Sequence, residues 1–153
     1  MFTKQQTSQV RQKFWISFGK YMSPIPSSTG EKITWINYRT GVKFIQFKMD
    51  AGEMDASISI EIAAKDIATE ELYFNHFKTF KNPLEASLGE KWNWVLSDGT
   101  TAEDTTTRIY TKLENVNIHN ENDWPTIITF LKIRIIALDK FWNEYKDIFD
   151  MLN

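Results

Sequence analysis

KITWINY (residues 32–38), VKFIQFKM (42–49) and ASISIEIA (56–63) are three short runs whose reading decides the fold class. Each alternates apolar and polar residues, the two-residue period of a strand with one buried face. In the third run Ile58, Ile60 and Ile62 point one way, and Ser57, Ser59 and Glu61 the other. Arg39-Thr40-Gly41 separates the first two runs, and Asp50-Ala51-Gly52-Glu53 precedes the third. Short runs rich in Ile, Phe, Trp and Tyr between glycine-containing turns predict an antiparallel meander.

Outward from these runs the period becomes helical. Towards the N-terminus, Thr3 and Gln6 fit a capping box, and Val10, Phe14, Phe18 and Tyr21 form a stripe, so a helix is expected from Thr3 to about Lys20. Gly19 and the segment SPIPSSTG end it, because Pro24 and Pro26 cannot continue a helix. Beyond the runs, Tyr73, Phe77, Phe80, Leu84 and Leu88 predict helix over about 66–88. It is broken near Pro83, where Asn82-Pro83-Leu84-Glu85 reads as a fresh start with Asn82 as N-cap, and Gly89 closes it.

Trp92, Trp94 and Leu96 alternate as a fourth strand, the polar loop SDGTTAEDTTT follows, and a fifth strand is expected around Arg108–Leu113. From an N-cap at Asp123, Trp124, Ile128, Leu131, Ile135, Leu138, Trp142, Tyr145, Phe149 and Leu152 step by four and three. That spacing could seam a coiled coil, but Ile127, Phe141 and Ile148 widen the stripe to that of a helix lying on a sheet. The β-branched run KIRII (132–136) marks a point where this helix could break. The expected fold is α+β, one domain over 1–153 in the order α-β-β-β-α-β-β-α, with a mainly antiparallel sheet of about five strands and helices on one face.

Composition excludes several classes of function. With no cysteine there are no disulfides or thiolate metal sites, and His76 and His119 lack ligand spacing, so neither metal nor cofactor is expected. The polar start MFTKQQTSQVRQKFW is no signal peptide, and no apolar stretch approaches the ~20 residues that span a bilayer, so a cytoplasmic location without membrane contact is expected. There is no phosphate-binding glycine loop, nucleophile elbow or HExxH. A metal-dependent nuclease needs converging carboxylates and a lysine; Asp50, Asp55, Glu61 and Lys65 are poorly spaced for it, and no catalytic residue is assigned.

Charge is uneven along the chain. Residues 1–48 hold eight Lys or Arg against Glu31 alone, whereas the rest holds ten basic against nineteen acidic residues. The two parts can neutralise each other within the fold or across a homodimer. They can also leave a basic face for nucleic acid or an anionic protein. The candidate ligand-binding residues are Lys32, Trp35, Arg39, Lys43 and Lys48, cations interleaved with rings on two neighbouring expected strands. A lysine-bearing edge that deters aggregation explains the same residues. Glu61 and Arg108, each on an expected strand among apolar neighbours, are a candidate structural ion pair pinning the register.

Taken together, Phe14-Trp15, GEKITWINYRTGVKFIQFKMD (30–50), ISIEI (58–62), LEASLGEKWNWVL (84–96), TRIY (107–110), and DWP (123–125) followed by RIIALDKFW (134–142) resemble small bacterial members of the domain-of-unknown-function family 4268. Nearly the whole chain takes part in the resemblance. In longer relatives a similar domain lies behind a nuclease-like module, which implies a setting in DNA metabolism or defence. The family offers no catalytic residues to carry over, so the resemblance implies an accessory or binding role for an uncharacterised protein. The alternatives are a homo-oligomeric interaction domain and, behind it, a nuclease-like enzyme.

Overall fold

A computed structural model describes residues 2–97 and 106–152. Helix α1 (Lys4–Met22) opens with the expected capping box: Gln6 N donates to Thr3 Oγ1 at 3.1 Å, and Thr3 N to Gln6 Oε1 at 2.8 Å. It runs through Gly19 rather than stopping there, since Phe18 and Met22 are both buried on the same face. A Cβ at Gly19 would lie 3.4 Å from the Ile36 side chain, so the glycine lets the following loop approach closely.

The sheet has four strands among the described residues, not five: β1 (Ile45–Ala51), β2 (Asp55–Ile62), β3 (Asn93–Val95) and β4 (Thr107–Glu114). Their order is β1-β2-β4-β3, with every pairing antiparallel. Ile60 lies between Phe47 and Ile109, and Ile58, Ile60 and Ile62 turn into the core as their alternation predicts.

The strand expected at KITWINY does not form. The chain turns instead, with Asn37 in the left-handed region at φ 57°, a conformation asparagine tolerates better than most residues. Backbone pairing there is replaced by side-chain bonds. The Trp35 indole donates to Ile25 O at 2.9 Å, and the Tyr38 hydroxyl donates to Asp139 at 2.6 Å. Thr40 Oγ1 donates to Ile45 O at 2.6 Å, occupying the place on β1 where a neighbouring strand would begin.

The helical stretch after β2 divides as expected, into α2 (Ile67–Thr79), capped by Asp66, and α3 (Lys81–Leu88). The N-cap of α3 is Phe80 rather than Asn82, which places Pro83 inside the first turn, where its missing N–H costs no helical bond. Gly89 ends α3 in the left-handed conformation at φ 71°. The final helix, α4 (Trp124–Asp150), follows a short 3-10 turn and does not break at residues 132–136. Burying an isoleucine such as Ile135 is worth about 1.5–3 kcal/mol, well above a few tenths of propensity. Asp123 stands at the N-cap of α4 as expected, but its side chain makes no capping bond; its carboxylate accepts from Asn117 N instead.

The core is ring-rich. Trp142 of α4 sits between Phe47 of β1 and Phe149, with centroids 5.5 and 5.2 Å away, and Phe77 of α2 meets Phe149 at 4.2 Å. The indole N–H of Trp142 reaches out of this core to Thr40 O at 2.7 Å, tying the irregular segment between α1 and β1 to α4. Part of the polar loop expected between β3 and β4 (98–105) lies outside the described residues. No described helix is long and apolar enough to cross a membrane.

Candidate functional site

Beside the Trp142–Thr40 bond, the segment between α1 and β1 is held against α4 by a cluster centred on one carboxylate. Asp139, 1 % exposed, accepts from Ser27 Oγ at 2.9 and 3.1 Å, from Ser28 N at 2.7 Å, from the Tyr38 hydroxyl at 2.6 Å and from Asn143 Nδ2 at 3.2 Å. Asn143, one helical turn on, also donates to Ser28 Oγ at 2.8 Å. A buried charge needs this degree of solvation by donors. Burial, the hydrogen bond to Asp139 and its negative charge push the Tyr38 phenol far above its ordinary value, so at neutral pH it remains a hydrogen-bond donor. The cluster therefore works as an anchor: its carboxylate is saturated and its phenol is not a nucleophile.

Above the anchor lies a cleft of about 760 Å³ between the loop and α4. Lys32 and Arg39 of the loop and Lys146 of α4 line it, all exposed, and none forms an ion pair within 4 Å among the described residues. Lys146 stands seven residues after Asp139, two turns along the same helix face. Among the described residues, Glu31 is the one exposed carboxylate on the cleft.

The candidate ligand-binding residues thus separate. Lys32 and Arg39 meet at the cleft, though on a loop rather than a strand. Trp35, 3 % exposed with its N–H bonded, belongs to the core and cannot stack on a ligand. Lys43 extends its ammonium over its own neighbour Phe44, 5.4 Å from the ring centroid. Lys48 lines a second cleft of about 260 Å³ with Trp15, Ile36, Asn37 and Gln46.

Glu61 and Arg108 are directly opposite in the β2–β4 register, but no ion pair joins them. The Arg108 guanidinium lies over the Tyr110 ring at 4.1 Å, and the Glu61 carboxylate accepts from Ser59 Oγ at 3.2 Å. Ring stacking satisfies a half-exposed guanidinium without the desolvation a close ion pair demands.

Sequence reasoning missed Asp139, Asn143, Lys146 and Trp15. A signal for the first was present: Asp139 falls four residues after Ile135 and three before Trp142, a charge inside the apolar stripe of α4. Such a residue needs buried donors, and the serines of SPIPSSTG with Tyr38 are those donors.

The family model described as Domain of unknown function (DUF4268) matches residues 10–146. The chain belongs to this family. The match takes in the loop, the anchor and all three cations of the larger cleft, so in this DUF4268 chain the site lies within the family's domain. No curated protein and no solved structure matches the chain.

Proposed function

We propose that this DUF4268 protein is a non-catalytic binding module that receives a polyanionic partner in the cleft between the loop and α4, with nucleic acid as the first class to test. The observation that carries this reading is the convergence of Lys32, Arg39 and Lys146, unpaired and exposed, on one cleft with a rigid polar floor. Unpaired cations around a concavity focus potential and attract anions. The saturated carboxylate and protonated phenol beneath them supply no nucleophile or base, which favours binding over catalysis.

The test is a titration of tryptophan fluorescence with single- and double-stranded DNA and RNA at low and physiological salt. Saturable binding that weakens as salt rises is expected, because neutralised phosphates release counterions. Charge reversal at Lys32, Arg39 and Lys146 together abolishes it, whereas Lys43→Glu, away from the cleft, leaves it intact. No response at either salt overturns the proposal.

A further inference from the structure

Building on the cationic-cleft reading, we infer that the partner is a single nucleic-acid strand crossing both clefts, with a base stacked on Trp15. The two clefts adjoin: Ile36 and Asn37 line both, and the left-handed turn at Asn37 forms the saddle between them. Lys146, Arg39 and Lys32 line the larger cleft and Lys48 the smaller, so each cleft carries positive charge with no ion-pair partner among the described residues. A polyanion is the ligand whose charge matches both ends of such a groove.

Trp15 differs from the other five tryptophans. The indole N–H groups of Trp35, Trp92, Trp124 and Trp142 donate to Ile25 O, Glu90, Ile118 O and Thr40 O, and that of Trp94 is enclosed. The N–H of Trp15 has no partner among the described residues and is not enclosed. Edge contacts with Phe14 and Phe18, at 5.0 and 5.6 Å, fix the ring where it borders the smaller cleft. A half-buried ring in a cleft that also carries a cation, here Lys48, is what a single strand uses for stacking, and a duplex, whose bases are already stacked, does not.

Beside the ring, β1 offers hydrogen-bonding groups. Ala63 N donates to Phe44 O, which makes 46, 48 and 50 the residues bonded to β2 and turns the N–H and C=O groups of Phe47 and Met49 outward. These four groups have no partner among the described residues, and both residues line the smaller cleft. They supply donors and acceptors for the edge of a base stacked on Trp15.

The test uses the full chain and a fluorescein-labelled oligothymidylate of about twelve nucleotides, within the ~4–16 that comparable grooves occupy. Binding by the oligonucleotide, quenching of indole emission and weaker binding by a duplex of the same length are expected. Trp15→Leu should weaken binding roughly five- to a hundredfold, Trp15→Phe should restore most of it, and Lys48→Gln should lower the salt slope by about one. Lys48→Gln is an exposed change and tests the path even where Trp15→Leu fails to fold.

Equal affinity for the duplex overturns the inference. Displacement of the oligonucleotide by polyglutamate at comparable concentration does so too, and indicates an acidic extended peptide on the β1 edge. If Trp15 and Lys48 variants bind normally while reversal at Lys32 and Arg39 abolishes binding, the cationic cleft stands and the strand path falls. No binding of any polyanion removes both.

Discussion

β2 and the loop from Lys32 to Tyr38 both read on paper as short runs of mixed apolar and polar residues, yet one is the most enclosed strand and the other is not a strand. β2 alternates isoleucine with serine and glutamate, and of its buried side chains only Ser59 carries a polar atom, which donates to Glu61 on the same strand. Its backbone pairs on both sides, with β1 and β4. The loop buries Trp35 and Tyr38, whose polar tips find partners at Ile25 O and Asp139. Burial secures the first region, and a few directed side-chain bonds, to Ile25 O and to Asp139, secure the second. The cations that make the candidate site are mounted on the second kind of structure.

The sharpest way to break this comparison is to cut each region by its own means. Ile60→Ala removes a fully buried side chain between two strands, and a loss of about 2–5 kcal/mol in urea unfolding is expected, with the whole fold losing stability together. Asp139→Asn should cost less, roughly 1.5–3 kcal/mol, the range for hydrogen bonds to a charged group. Its mark should be local: faster hydrogen exchange at the Ser28 amide, which donates to Asp139, with β2 amides little changed at matched stability. Uniformly faster exchange in both regions would show that the anchor is part of the global core.

Tyr38→Phe sharpens the same point through pH. Tyr38 is neutral in the fold well above the pH at which an unfolded tyrosine, with a pKa of about 10, loses its proton. The unfolded chain then holds fewer protons than the native one, so this contribution is complete below pH ~10 and is lost as pH rises. At pH ~11 the deficit from this residue approaches about 1.4 kcal/mol. Tyr73, raised by burial and by the charge of Asp150, acts in the same direction. The alkaline limb of stability against pH should flatten partly in Tyr38→Phe and further in Tyr38→Phe with Tyr73→Phe. An unchanged limb in Tyr38→Phe would mean that the phenol ionises freely and the loop opens first.

What could be read from the sequence follows the same division. The capping box at Thr3, the inward isoleucines of β2, the division of the helical stretch before Gly89 and the core-facing side of α4 are local or periodic signals, and each is present in the structure. The family resemblance was legible as well, and the family match covers residues 10–146. The loop was not legible, because nothing local to KITWINY announces that its polar tips bond to a residue a hundred positions away. The site suffered most from this. Lys32 and Arg39 were identifiable as cations, but their meeting with Lys146 depends on Asp139 drawing Ser27, Ser28 and Tyr38 onto α4. Trp35 and Trp15 look equally available on paper; only tertiary packing buries one and leaves the other at a cleft.

The smallest expected effect separates stability from binding in two arginines. Arg108 stacks on Tyr110 in the sheet, so Arg108→Ala should lower stability by about 0.5–1 kcal/mol, the scale of a cation–π contact, rather than the larger loss of a buried ion pair. Arg39, exposed on the loop without an ion-pair partner among the described residues, should leave thermal unfolding unchanged when replaced by alanine. Its replacement should instead lower the affinity for a polyanion and the slope of that affinity against salt. The two variants therefore exchange phenotypes: the sheet arginine moves the melting curve and leaves binding alone, and the loop arginine does the reverse. Were Arg39→Ala to destabilise as much as Arg108→Ala while binding stayed intact, the loop cation would be structural, and the division between a fold secured by burial and a site mounted on directed bonds would not hold.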